Sequence, residues 1–308
     1  MISIVITSYS VERLSDIRDL LSSIKDQTMN DLEVVIITEG EELTHSLTPE
    51  LNKTAMRGAV IKARNGTGLA MSRNLGLERA TGDIVAFIDD DIILDKNWCH
   101  TVATAFASYS RAVCITGPAI PFWEAEPMDW LPLELDWLIG CTRWVRYNVP
   151  TEVTNAWGMN MCFRRKSLYE CGGFSDGTGM QGGHTSGRMG EDVDISKRVM
   201  RNGGKILFVP GLKVYHKVRK KRLTTSFILE RSIRVGYDRG LTIKTDQLIF
   251  GKATEPRLLA LLLRSTFLIV LNNRLDRLSD KANSIWMSTI AIMGVGIGFI
   301  ASKFAFDA

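Results

Sequence analysis

The chain has 308 residues, of which 45% are hydrophobic and 23% charged, with a net charge of +4. This balance excludes an intrinsically disordered chain and leaves enough apolar material for one large or two ordinary domains. Five widely spaced cysteines (Cys99, Cys114, Cys141, Cys162 and Cys171) form no Cys-x-x-Cys pair. Neither a zinc framework nor a disulfide scaffold is indicated, and a reducing compartment fits.

Ile2 to Thr7 lacks the basic start and long apolar stretch of an export signal. It reads as a first strand ending in Ser8-Tyr9-Ser10. Leu14, Ile17, Leu20, Leu21 and Ile24 recur at helical spacing, and Leu32 to Ile37 is a second buried strand stopped by Thr38-Glu39-Gly40. A polar stretch and a shorter strand near Ala59 to Ala63 follow. Gly66-Thr67-Gly68 opens a helix through Leu69 and Leu77, closed by Thr81-Gly82. Ile84 to Ile88 then runs straight into Asp89-Asp90-Asp91, before a helix from about Asp95 to Ser108 and a strand at Ala112 to Thr116. This alternation predicts an α/β fold with a parallel, doubly wound sheet.

The three acids sit at the carboxyl end of a strand buried on both faces, where open α/β sheets bind ligands. Anions so crowded repel unless a cation lies among them. A divalent metal holding a substrate's phosphates meets that need. An acidic turn capping the next helix, with Asp95 as a second cap, is the alternative.

The rhythm breaks between Gly117 and Trp157. Trp123, Trp130, Trp137 and Trp144 fall seven apart, but Pro127 and Pro132 argue against one continuous helix. Two readings stay open for this insert: an aromatic wall beside a sugar or lipid acceptor, or ordinary core packing. Asn155 to Phe163 reads as a strand, and a helix starting at Arg164 ends at Cys171-Gly172-Gly173-Phe174. Eight glycines between Gly172 and Gly190 fit a mobile lid better than regular structure. Gly190-Glu191-Asp192 begins a further helix, whose dipole favours carboxylates in its first turn. Short strands at Ile206 to Val209 and Leu212 to Tyr215 lead to His216 and to five cations in six residues, Lys217 to Arg222. That run suits diphosphates or anionic headgroups, or a simple solvated face.

Beyond Thr225 the character changes. Phe227 to Leu241 is amphipathic. Leu258 to Leu271 is apolar apart from Arg264 and would cover only about 21 Å as a helix. Ile285 to Ser302 has no charge and would reach roughly 27 Å, close to a bilayer's hydrocarbon core. It is read as a membrane span, and 258–271 as a possible first span or an interfacial helix. A hydrophobic hairpin packed on the domain or on a partner subunit is the soluble alternative.

In sequence order these motifs resemble those of glycosyltransferase family 2, the inverting transferases of the GT-A fold, over roughly residues 1–222. Ile4-Val5-Ile6-Thr7-Ser8-Tyr9-Ser10 matches the family's first strand and turn, with Thr7 in place of the usual proline. Leu69 to Asn74 matches the helix start whose arginine lies near the donor nucleotide. Phe87 to Asp91 matches the Asp-x-Asp signature, Cys171 to Phe174 the Gly-Gly-Phe element, and Gly190-Glu191-Asp192 the Glu-Asp element.

The resemblance implies a Rossmann-like GT-A catalytic domain at 1–222, and the apolar runs beyond it mark 223–308 as a C-terminal membrane-associated segment. It implies a divalent metal (Mn2+ or Mg2+) at Asp91 with His216, and a nucleotide-diphosphate sugar, a UDP-sugar first, as donor. Thr7, Ser8, Tyr9, Glu39, Arg73, Asp89, Asp90, Arg219 and Arg222 are the expected donor contacts, with Glu39 standing where the family usually has aspartates. Asp192 is the expected general base and Glu191 its neighbour at the acceptor. The partners expected are a membrane and a lipid-linked saccharide or polyprenyl phosphate, with the catalytic domain facing the cytoplasm and no nucleic acid. A polyprenyl-phosphate glycosyltransferase and a non-catalytic glycan-binding relative are the alternatives. A nucleotidyltransferase would want a glycine- and lysine-rich phosphate loop, which Thr7-Ser8-Tyr9 does not supply.

Overall fold

Ile2, Ile4 and Ile6 alternate with Val5 along the first strand, and the two sets enter separate apolar clusters on opposite faces of one sheet. This is the period of two that a strand covered on both sides requires. The computed structural model describes residues 1–128, 130–176, 190–245 and 278–304. The strands are β1 (Ile2–Ser8), β2 (Leu32–Glu39), β3 (Arg57–Ala63), β4 (Ile84–Asp89), β5 (Ile92–Leu94), β6 (Ala112–Thr116), β7 (Ala119–Trp123), β8 (Thr151–Val153), β9 (Asn160–Arg164), β10 (Lys205–Phe208) and β11 (Val214–Val218). The helices are α1 (Leu14–Lys25), α2 (Glu41–Lys53), α3 (Leu69–Arg79), α4 (Trp98–Ser108), α5 (Arg165–Glu170), α6 (Glu191–Arg201), α7 (Thr225–Thr245) and α8 (Leu278–Phe304).

Eight strands form the main sheet in the order β3-β2-β1-β4-β9-β6-β10-β8. β1 to β4 are parallel, as expected from their helical crossovers. The sheet as a whole is mixed, because β9 lies antiparallel between β4 and β6 and β8 is antiparallel to β10. β9 is reached through an irregular insert rather than a crossover helix, which frees it from the parallel direction. A smaller sheet has the order β5-β11-β7.

The polar stretch after β2 folds as α2. Leu43, Leu47 and Leu51 recur at helical spacing and are fully buried, and this burial outweighs Pro49 within the helix. The glycine-rich stretch read as a lid lies mainly at 177–189, outside the described residues, as does the apolar segment 258–271.

By packing, the chain divides into two units, Met1–Ile120 with Arg146–His216 and Pro121–Val145 with Lys217–Ala308. In the second unit, Trp123, Trp130 and Trp137 pack against a core of Leu135, Leu138, Ile139, Ile228, Met287 and Ile290. Three of the four regularly spaced tryptophans thus serve core packing, while Trp144 is exposed. Asp136 is buried beneath Arg143, whose Nε donates to its Oδ2 at 2.7 Å.

α7 and α8 meet along small residues. Gly294 packs on Ser232, Gly236 on Val295, and Gly240 on Ser302. The paired numbers rise together, so the two helices run in the same direction. Ser279–Phe304 is long and apolar enough to cross a membrane. Its Ile285, Met293, Ile297, Ile300 and Phe304 face outward.

Candidate active site

Register brings the site together at the carboxyl ends of β1 and β4. Thr7 pairs with Asp89 across these strands, and Ile88 pairs with Asn160 at the start of β9. The acids that follow β4 therefore stand beside Ser8 on one side and the Gly158 turn on the other. β11 pairs antiparallel with β5, setting His216 opposite Ile92 and so next to Asp91.

The three consecutive acids have different surroundings. Asp89 remains partly exposed and accepts from Arg73 Nη2 at 3.1 Å. Asp90 turns inward, where its Oδ2 accepts from Ser8 Oγ at 2.5 Å. Burial, then the Asp91 charge, pushes the Asp90 carboxyl up to about 7, against the pull of Arg13 and the Ser8 bond. Asp91 is buried, with Oδ1 3.3 Å from His216 Nε2 and Oδ2 accepting from Arg13 Nη1 at 3.0 Å.

Arg73 links the acids to the second carboxylate pair. It projects from α3, its Nη1 donates to Glu191 Oε1 at 2.8 Å, and its Nη2 also donates to the Gly158 carbonyl at 3.1 Å. The guanidinium lies over the Phe174 ring. Phe174 is itself clamped to α3, because Asn74 accepts from its N–H and donates to its carbonyl, each at 2.8 Å. Gly173 has φ +64 there, and a Cβ would crowd Asn74, so both the conformation and the close approach call for glycine.

Asp192 occupies the first turn of α6 after Gly190, whose φ of +104 turns the chain into the helix. Its Oδ2 accepts from Gly158 N–H at 3.2 Å and its Oδ1 from Val193 N–H at 2.8 Å. Burial, then the neighbouring Glu191 charge, pushes the carboxyl up to about 7, while Arg73 and the two amide bonds oppose the rise. A carboxylate poised near neutrality can accept a proton from a hydroxyl and later release it.

The family description "Glycosyl transferase family 2" matches residues 3–172. The chain belongs to this family. It is a glycosyltransferase with the GT-A fold. The glucosyl-dolichyl phosphate glucuronosyltransferase of Haloferax volcanii is 27% identical over 307 residues, covering 97% of this chain and 95% of that protein. The putative glycosyltransferase EpsH of Bacillus subtilis is 33% identical over 100 residues, covering 32% of this chain and 28% of that one. Among solved structures, mannosyltransferase PcManGT from Pyrobaculum calidifontis, in complex with GDP-Man and Mn2+, superposes with a TM-score of 0.60 at 15% identity. That match covers 97% of this chain and 86% of PcManGT.

Of the donor contacts expected in this family, Thr7, Ser8, Arg73, Asp89 and Asp90 are brought together, with Asp91 and His216 beside them, and Tyr9 is exposed just after β1. Glu39 lies at the end of β2, where its two oxygens accept from Gly66 N–H at 3.1 Å and Gly68 N–H at 3.0 Å, bracing the loop before α3. Arg219 and Arg222 belong to the second unit. There Arg219 Nε lies 4.0 Å from Glu124 and Arg222 Nη1 donates to the Ile139 carbonyl at 3.2 Å.

Among the described residues, no group of three or more His, Cys, Asp and Glu side chains forms a self-sufficient metal site. Asp91 Oδ1 and His216 Nε2, however, are spaced at 3.3 Å. That is near the ~3 Å between adjacent ligands of an octahedral ion with bonds of about 2.1 Å. The pair fits Mn2+ or Mg2+ completed by phosphate oxygens and water, the usual manner of such ions at nucleotide sites.

Two participants escaped the sequence reading. Gly158 supplies an amide to Asp192 and a carbonyl to Arg73. Arg13, in the turn entering α1, lies against Asp16, Asp90 and Asp91. Its signal was available: a cation at a helix N-terminus is disfavoured by the dipole unless acids hold it.

Proposed function

We propose that this chain is an inverting glycosyltransferase that moves a sugar from a nucleotide-diphosphate sugar to a hydroxyl of a lipid-linked saccharide at the membrane surface. The observation that carries this reading is Asp192, half-buried, held by two amides and pushed up to about 7 beside the Arg73 network. A phosphate acceptor is already ionised at neutral pH and needs no base, whereas a sugar hydroxyl does. The full-length similarity to a protein named for transfer onto glucosyl-dolichyl phosphate, a lipid-linked sugar, supports the same acceptor class.

In this reading Asp192 takes the proton of the acceptor hydroxyl as its oxygen attacks the anomeric carbon opposite the diphosphate, so one displacement inverts the configuration. Glu191 keeps Arg73 in place and borders the acceptor. Arg73 and Asp89 orient the donor, Ser8 and Asp90 brace the floor beneath it, and Tyr9 and the Glu39 loop border the nucleotide. Asp91 and His216 would hold a divalent ion, which when bound stabilises charge on the departing diphosphate. α8 anchors the protein in the membrane, with the catalytic unit on the cytoplasmic face where nucleotide sugars are made.

The test is a panel of UDP-, GDP- and dTDP-sugars with Mn2+ or Mg2+, offered with lipid-linked saccharide or with polyprenyl phosphate, using Asp91→Ala as the blank. Metal-dependent release of one nucleoside diphosphate, raised by the saccharide and lost in Asp192→Asn, is the expected result. Transfer to polyprenyl phosphate that survives Asp192→Asn would instead make this a lipid-charging enzyme.

A further inference from the structure

The repulsion among Asp89, Asp90 and Asp91 asks for a cation, and the fold already supplies one. Arg13 Nη1 donates to Asp91 Oδ2 at 3.0 Å, and its Nε lies 3.7 Å from Asp90 Oδ1. On its far side the same Nη1 lies 3.3 Å from Asp16, one turn along α1. Only 13% of the Arg13 side chain is exposed. Its entry is also fixed, since Ser10 Oγ accepts from Glu12 N–H and turns the chain into the helix. A guanidinium bracketed by three carboxylates and mostly buried is held in one orientation.

The consequence falls on Asp91. Its Oδ2 is committed to Arg13, and its Oδ1 is the oxygen on the His216 side. A carboxylate that shares its charge with an adjacent guanidinium, and presents one oxygen instead of two, is a weaker ligand for a divalent ion. We propose that Arg13 is a positioning residue that withholds one oxygen of Asp91, so that the metal is held firmly only when a donor diphosphate adds its own oxygens. Asp91 and His216 would then hold a metal ion firmly only together with a bound diphosphate, and Arg13 offsets the repulsion among the acids when no diphosphate is bound. This rests on the metal-dependent reading given above.

The test is Mn2+ binding to the full-length protein, followed by the paramagnetic resonance signal of free Mn2+, with and without UDP or GDP. Wild type, Arg13→Met and Arg13→Lys are compared. Wild type is expected to bind Mn2+ weakly alone and much more tightly with one of the nucleotides. Arg13→Met should tighten nucleotide-free binding by about tenfold, with a correspondingly smaller gain from the nucleotide. Arg13→Lys keeps the charge but cannot span Asp16 and Asp91 together, so it should tighten binding by a smaller factor. Nucleotide-free affinity equal to wild type in both variants overturns the proposal. Should Arg13→Met fail to fold, the same equality in Arg13→Lys alone overturns it. A wild type that binds no Mn2+ with either nucleotide removes the metal reading and this proposal together. A wild type that does bind, beside unaltered variants, removes the role of Arg13 only.

Discussion

Arg73 Nη1 donates to Glu191 Oε1 at 2.8 Å, tying α3 to the first turn of α6. The same guanidinium holds Asp89 and the Gly158 carbonyl, so the acidic end of β4 and the first turn of α6 share one buried cation. Arg73→Met would leave Glu191 and Asp89 uncompensated. The expected loss is roughly 2–4 kcal/mol, the lower part applying because Asp89 is partly solvated. Arg73→Lys should recover little, since an ammonium cannot span three acceptors in one plane. Urea unfolding in detergent measures this, and a lysine variant as stable as wild type would contradict the network.

The Asp192 carboxyl, pushed up to about 7, carries a pH dependence with a definite sign. As a base it must be ionised, so turnover should rise with pH through about 7 and level off above. Stability runs the other way. An unfolded aspartate titrates near ~3.9, so the folded chain binds this proton more tightly, and stability falls as pH rises between those values. Asp192→Asn should lose about 10²–10⁴ in kcat. At pH 8 its stability should stay within about 1 kcal/mol of wild type, because the amide no longer buries a charge although it loses one acceptor. Loss of activity matched by an equal loss of folded protein would refute the assignment as a base.

The elements legible in the sequence were those with a strong local signature. β1, β2 and β4 are short, mainly apolar runs rich in Ile and Val, and Gly68, Gly173 and Gly190 stand where positive φ is required. α2 was hidden because Pro49 and a polar surface masked three buried leucines. The antiparallel course of β9 was not readable, since direction depends on how the insert returns the chain and not on residues 160–164 themselves. Asp91, His216 and Asp192 stand out in the sequence as candidates because their residue types announce chemistry and their motifs resemble the family's, and the fold sets His216 beside Asp91. Gly158 was not, because a backbone amide and carbonyl have no sequence signal of their own. The tryptophan spacing was regular without being functional in its period: three of these rings are core and one is exposed.

Glu39 braces the Gly66–Gly68 loop with both oxygens, one amide to each. Glu39→Gln can keep only one of these bonds and sets an NH2 against the other N–H. The loop leads into α3 and Arg73, so the expected effect is a donor KM raised about fivefold with kcat nearly unchanged. Stability should drop by roughly 1 kcal/mol. Initial rates across donor concentration separate the two constants, and an unchanged donor KM would leave Glu39 with a purely structural part.

The α7–α8 seam supplies a prediction with its own control. A Cβ at Gly298 would overlap the Ile233 carbonyl, and one at Gly236 would overlap that of Val295, whereas Gly296 has no atom within 4 Å of its Cβ position. Close approach through small residues is how helices gain packing where water provides no drive. Gly298→Leu must push the helices apart, at a cost of about 1–3 kcal/mol or more. Gly296→Leu adds apolar surface in open space and should leave stability unchanged within about 0.5 kcal/mol. Thermal unfolding of both variants in detergent decides the matter. Equal melting of the two would mean that the seam is not the contact that holds these helices together, whereas selective loss in Gly298→Leu ties the pairing of α7 and α8 to this one line of small residues.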